Sequence, residues 1–327
     1  MAPSPTDARF PAIAPGAGHY ESWYLKLCQP GEPLGVWIRY TVHKRPGADP
    51  KGSVWFTLFD DAGGGPYATK VTVPDPGTGD GDWLRVGESR VGDGVASGQA
   101  GEALWKLGFE SSEPPLWHLP RAWMYTARLP RTKTLSPLPA ARFSGSVTVA
   151  DRTIDVDGWR GMVGHNWGAE HAERWIWLHG LGFDGADEGA WIDAAIGRIK
   201  VGPVTTPWIG NGAISLDGVR HPLGGAERVR RTEVRETPER AEFVLPGKDI
   251  TVQGTVSAAR KDFVGWVYAD PDGPEHNTVN CSIADMTLSV SRPGERPLSL
   301  DLAGGAAYEL GMRERDHGIP IQPFPDG

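Results

Sequence analysis

Residues Gly164 to Gly180 read "GHNWGAEHAERWIWLHG" and hold three histidines, two glutamates and three tryptophans within seventeen positions. Imidazole and carboxyl groups beside large aromatic rings suit proton transfer. Withdrawal of water raises a carboxyl pKa and lowers that of an imidazole, which can bring either close to neutrality. Indole faces are electron-rich and attract developing positive charge. The candidate acid-base groups are His165, Glu170, Glu21 and Asp193. Asn166, Trp167, Trp175, Trp177, His179, Trp191, Trp23 and Trp37 are the candidates for lining a substrate pocket. His165 and Asn166 equally fit a tight linker whose polar side chains satisfy backbone groups at a domain junction.

Other chemistries find little support. His165 and His171 are six apart, and neither H-E-x-x-H nor H-x-x-E-H occurs, so no metal site is expected. There is no G-x-S-x-G nucleophile elbow, and neither Cys28 nor Cys281 sits in a catalytic signature. "GTGDGD" fails G-x-G-x-x-G and no phosphate-binding G-x-x-x-x-G-K-[ST] is present, so no cofactor is expected. The sequon at Asn280 is discounted because the N-terminus lacks the basic and apolar regions of a secretory signal.

Strands must position these groups. Runs such as "WYLKL", "GVWIRYTVH", "SVWFTLF", "RWIWLHGLGF", "AWIDAAIGRI" and "DFVGWVYAD" are short, rich in β-branched and aromatic residues, and separated by turn residues. Gly at 44 and Pro at 29 are spread along the chain, which predicts many turns. The pattern is that of an all-β chain of antiparallel barrels or sandwiches. Short helices are expected only near "TDARFPA" and around Pro114 to Met124, with long loops at "DPGTGDGD" and "SRPGERP". Side-chain alternation puts Trp175, Trp177 and His179 on one face of their strand and Ile176 and Leu178 on the other. It likewise sets Trp191 and Asp193 against Ile192 and Ala194, and Trp37 and Arg39 against Ile38 and Tyr40.

A weak repeat divides the chain. His19-x-Glu21-x-Trp23 matches His171-x-Glu173-x-Trp175, and Trp37-Ile38 matches Trp191-Ile192 after similar intervals. Two tandem copies of one β-rich unit are expected, as an N-terminal extension over 1–17 and domains over 18–170 and 171–327. Under duplication the repeated element reads as a structural strand start, which weakens any chemical role for His171.

The chain has 327 residues and a formal charge of -8 with both signs scattered, so neither nucleic acid nor an anionic membrane is an expected partner. Two cysteines far apart read as free thiols, and no apolar run spans a membrane, so a soluble cytoplasmic protein is expected. The 14 tryptophans against 7 tyrosines and 9 phenylalanines suit a pocket for a hydrophobic small molecule.

"RGMVGHNWG" followed by "RWIWLHG", with "ESWYLKL" and "VWIRYTV" near the start, resembles the lipocalin-like superfamily of carotenoid 1,2-hydratases, AttH proteins, plant tocopherol cyclases and fungal Diels-Alderases. The likeness runs over roughly residues 18 to 315. It implies two lipocalin-like β-domains with a hydrophobic pocket within or between them. It also implies a cofactor-independent cyclase, hydratase or isomerase acting on isoprenoid, polyene or polyketide substrates. His165, Asn166 and Trp167 match the H-N-W-G element, and Trp175 and Trp177 the W-x-W strand. A carrier that binds hydrophobic molecules without turnover needs the same pocket, and a Trp-rich face could instead bind a protein. Oligomeric state is not legible.

Overall fold

A computed structural model describes residues 4–325 and is almost entirely antiparallel β. Two large sheets carry nearly all of it. The first runs Tyr67–Pro74, Lys51–Asp60, Leu34–Lys44, His19–Cys28, Arg152–Gly168, Thr132–Val149 and Ala103–Glu110, then four short strands. The second repeats that order with Val219–Gly224, Ile209–Leu216, Trp191–Arg198, Arg174–Leu181, Leu298–Met312, Glu275–Ser291, Thr251–Ser257, Arg240–Pro246 and Glu233–Thr237. In each half the first strand closes against the last long strand. The long strands bend at register shifts near Leu135 to Ala141 in one half and near Cys281 to Met286 in the other. One extra residue on one side of a ladder increases local twist, which lets such strands curl around a core.

The strand His19–Cys28 is buried at all ten positions. Trp23, Leu25 and Leu27 fill the interior of the first half with Val36 and Ile38. Tyr24 on the opposite face packs against Trp177 and Ala307 of the second half. Arg174–Leu181 is arranged likewise, with Ile176 and Leu178 inside its own half. Trp37, Trp55 and Phe59 reach from the first sheet into the second half's core, where the edge of Trp55 meets Trp266 at a centroid distance of 5.1 Å. Each such fully buried ring contributes roughly 2 to 3 kcal/mol.

The sequence repeat is one residue out of structural register. Trp23 lies inside its own half, whereas Trp175 faces the junction, so the two are not equivalent. The structural counterpart of Trp175 is Tyr24. Tyr24 lies across from Gly164 and Trp175 across from Gly311, and in both pairs the ring occupies the space a Cβ on the glycine would need. Trp37 and Trp191 each point away from their own half toward the other, but at different register positions, Trp37 across from Lys26 and Trp191 across from Leu181.

The expected helices are short 3-10 turns, Phe10–Ala12 and Ala122–Tyr125. "DPGTGDGD" is not a long loop: it folds into the strand Gly77–Gly79 and the start of Asp82–Val86. "SRPGERP" is the tip of the hairpin between Glu275–Ser291 and Leu298–Met312. Within the expected extension, residues 1–3 lie outside the described part, and the following residues are fastened to the first half. Lys44 Nζ donates to the carbonyls of Pro15 at 2.7 Å and Ala17 at 2.9 Å. Gly311→Ala should displace the Trp175 ring and cost about 1 to 3 kcal/mol. A urea midpoint and near-UV dichroism equal to wild type would contradict this seating.

Candidate functional site

The seam between the halves holds a half-open cavity of about 260 Å³. Tyr24, Trp37 and Arg39 line it from the first half, and Trp175, Trp177 and Glu309 from the second. The edge of Tyr24 meets Trp177 with ring centroids 5.2 Å apart. Leu119, Pro120 and Met124 add an apolar rim. Most of the lining is hydrocarbon or aromatic, so each polar group is conspicuous.

One polar group is the imidazole of His171, stacked on Tyr20 at 3.9 Å between centroids and on Trp175 at 5.5 Å. Its Nδ1 lies 2.8 Å from Oδ1 of Asp270, which also accepts the backbone N–H of His171 at 2.7 Å. Ionised Asp270 only accepts, so the shared proton sits on Nδ1, and buried Nε2 has no hydrogen-bond partner among the described residues. Burial pushes the Asp270 carboxyl up, but the hydrogen bonds and charge of His171 overcome this and hold it below its usual range. His276, beside it, is pushed down to about 3 by burial and by the charges of His171 and Arg313.

His171, Asp270 and His276 also bring three potential ligand atoms within 4.8 Å of one another, a metal-capable trio that sequence spacing did not reveal. Arg313 Nη2 lies 4.0 Å from Asp270 Oδ2, so a cation already faces the free carboxylate oxygen. That favours a hydrogen-bonded Asp-His pair over a divalent ion.

The second polar group is the buried carboxylate of Glu309. It accepts from Trp175 Nε1 at 2.9 Å, Tyr268 Oη at 3.0 Å and Asn280 Nδ2 at 3.2 Å. The Trp175 indole therefore touches both Glu309 and the His171 ring. Arg39 is the third, its guanidinium carbon 4.0 Å from the centroid of Tyr268.

Of the residues singled out in sequence, Asn166, Trp175, Trp177 and Trp37 line this cavity. The others do not. Glu21 and His165 form a separate network beneath the N-terminal segment. Glu21 accepts the backbone N–H groups of Arg9 at 2.9 Å and Phe10 at 2.8 Å and faces His165 Nε2 at 2.9 Å, while His165 Nδ1 faces the Pro5 carbonyl at 2.8 Å. Burial pushes the Glu21 carboxyl up, but hydrogen bonds and charge from His165 and His19 bring it down to about 2. Trp23 stacks on His165 at 4.3 Å, and Trp167 carries the Arg9 guanidinium at 5.0 Å, so both belong to this tether.

Asp193 lies behind the cavity wall. It accepts from Trp177 Nε1 at 3.2 Å and from Ser136, and faces His118 Nε2 at 3.3 Å. Burial raises Asp193, and the charge and hydrogen bond of His118 overcome this to hold it low. His179 contacts the Pro139 carbonyl at 2.9 Å and is pushed down to about 4 by burial and then by Lys26. Trp191 is buried under Arg220, at 5.0 Å, and Glu170 pairs with Arg131 near the surface.

Glu309, Tyr268 and Arg39 line the cavity and Asp270 supports His171 from behind, and no sequence motif marks any of them. The usable signal for Glu309 was alternation: in "AAYELGM" a carboxylate shares a face with Ala307 and Gly311 in an otherwise apolar run.

No known family profile matches the chain. An uncharacterized protein of Mycobacterium tuberculosis, found in two strains, is 26% identical over 310 residues, spanning 94% of this chain and 90% of the relative. A Nitrosomonas europaea protein provisionally assigned as AttH superposes with a TM-score of 0.59 at 14% identity, covering 95% of this chain and 96% of that one. Kievitone hydratase of Nectria haematococca gives 0.58 at 10% identity, covering 96% and 93%. The chain has their fold. This architecture of two large curled antiparallel sheets is the one the H-N-W-G and W-x-W resemblance implied. No helix among the described residues is long and apolar enough to cross a membrane.

Because the Glu21 pKa is lowered, its stabilisation is present above its usual 4.5 and is lost as pH falls toward about 2. Glu21→Gln should cost about 1 to 3 kcal/mol at neutral pH, with the deficit closing on acidification. Paired urea titrations across pH, with limited proteolysis of the first seventeen residues, check this. A pH-independent deficit would contradict it.

Proposed function

We propose that the protein is an enzyme that adds water to, or cyclises, a carbon-carbon double bond of a hydrophobic small molecule held in the seam cavity. The observation that carries this reading is the contact of one indole, Trp175, with both the Glu309 carboxylate and an Asp-oriented imidazole. An apolar chamber with two proton-transfer groups of different type suits acid-base chemistry on a substrate that has few polar handles. The hydratase named among the structures sharing this fold supports the reaction class.

His171, held at Nδ1 by Asp270, delivers its other ring proton to one alkene carbon once substrate entry uncovers Nε2. The electron-rich faces of Tyr24, Trp175 and Trp177 stabilise the positive charge left on the neighbouring carbon. In hydration a water attacks that carbon and passes its proton to Glu309, from which it returns to His171 through solvent. In cyclisation a second double bond or hydroxyl of the same molecule replaces the water, the cation or oxonium so formed loses a proton to Glu309, and the walls hold the reactive conformer. Asp193 fixes the Trp177 indole from behind, so it positions a wall without touching the substrate.

Incubation of the purified protein with a lipophilic extract of its host, followed by mass spectrometry, tests the reading. Gain of one water or formation of an isomer supports it. Selective retention of an unchanged molecule would make the protein a carrier and overturn the enzymatic proposal. With a converted substrate in hand, Glu309→Gln and His171→Ala should each lower turnover by about 10²- to 10⁴-fold. Full activity in both would remove these residues from the mechanism, while His165→Ala is expected to act through stability alone.

A further inference from the structure

Arg39 carries a buried charge with no hydrogen-bonded or ion-paired partner among the described residues. The residue is 4% exposed, sits between Tyr24 and Trp55 in the sheet register, and lines the cavity. Its guanidinium lies over Tyr268 at 4.0 Å and Trp55 at 5.4 Å. Among the described residues none of its nitrogens donates a hydrogen bond, no carboxylate lies within 4.0 Å, and Nη1 is buried without a partner.

The other buried basic side chains differ. Lys26 donates to the Gly305 carbonyl, Lys44 to Pro15 at 2.7 Å, Lys70 to Pro325 at 2.7 Å and Lys133 to Pro130 at 2.5 Å. Removing a cation from water without a counter-charge is costly, and aromatic faces offset only part of that cost. Arg39 borders an open chamber, so the missing acceptor can come from a ligand.

Resting on the reading of the cavity as the substrate site, we infer that its ligand is a hydrophobic acid whose anionic oxygen docks on Arg39. A planar guanidinium matches a carboxylate through two parallel hydrogen bonds, and an enolate or phenolate oxygen through one or two. Glu309 lines the same chamber outside ion-pairing distance of Arg39 and repels an anion. The two groups therefore orient the molecule, with its charged end at Arg39 and its hydrocarbon against Trp175 and Trp177.

Calorimetric titration of the intact protein with cinnamate and its neutral near-isostere cinnamamide tests the inference. Cinnamate should bind at least about tenfold more tightly. Arg39→Met should bring cinnamate down to the affinity of the amide while leaving the amide unchanged, and Arg39→Lys should keep part of the preference. The wild-type comparison stands even if a variant fails to fold. Equal affinities in the wild type, a preference that survives Arg39→Met, or no binding of either probe at millimolar concentration would each overturn the inference. Water addition to, or cyclisation of, a neutral substrate alongside equal probe affinities would sink the acid preference and leave the proton-transfer reading intact.

Discussion

Burial of both faces of the first strand in each half constrains everything else in this molecule. A sheet usually offers one face to a core and the other to water. Here the second face meets the other half, so polar groups placed there must find partners across the junction. Lys26 of the first half reaches the Gly305 carbonyl, Cys28 Sγ reaches the Ser282 carbonyl at 2.9 Å, and Asp193 draws in Ser136 and His118. Where partners run short, the seam stays open and the cavity begins.

The cavity contents follow from this. Aromatic rings pack across the seam because they fill volume without demanding hydrogen bonds on every side, and the indole nitrogens of Trp175 and Trp177 are satisfied by Glu309 and Asp193. A carboxylate held by three donors and an imidazole held by Asp270 can sit in such a place, since their supporting contacts are made within the second half. Arg39 lies opposite, supported only by ring faces. The chamber therefore has a cationic first-half wall and an acid-base second-half wall.

Much of this architecture was legible in the residues. Alternation in "RWIWLHG" correctly separated Ile176 and Leu178 from Trp175 and Trp177, and turn residues marked most strand ends. The chemistry was less legible. His165 and Glu21 have the types and neighbours expected of a catalytic pair, yet they fasten the N-terminal segment, a contact that spans more than a hundred residues and leaves no local trace. His171 looked like a repeat of His19, but the one-residue offset turns the two strands to opposite faces. Glu309 reaches the cavity from the strand Leu298–Met312, and Asp270 meets His171 from the turn after Val264–Ala269, which no spacing rule in the central stretch encodes.

The paired seats of Tyr24 over Gly164 and Trp175 over Gly311 bear on how such a site can arise. A single unit associating with a copy of itself would present the same seat twice, and any change on one wall would be imposed on the other. Once both units share one polypeptide, each wall is free to vary alone. One seat here bears a phenol and the other an indole, so the two walls of the site are not alike.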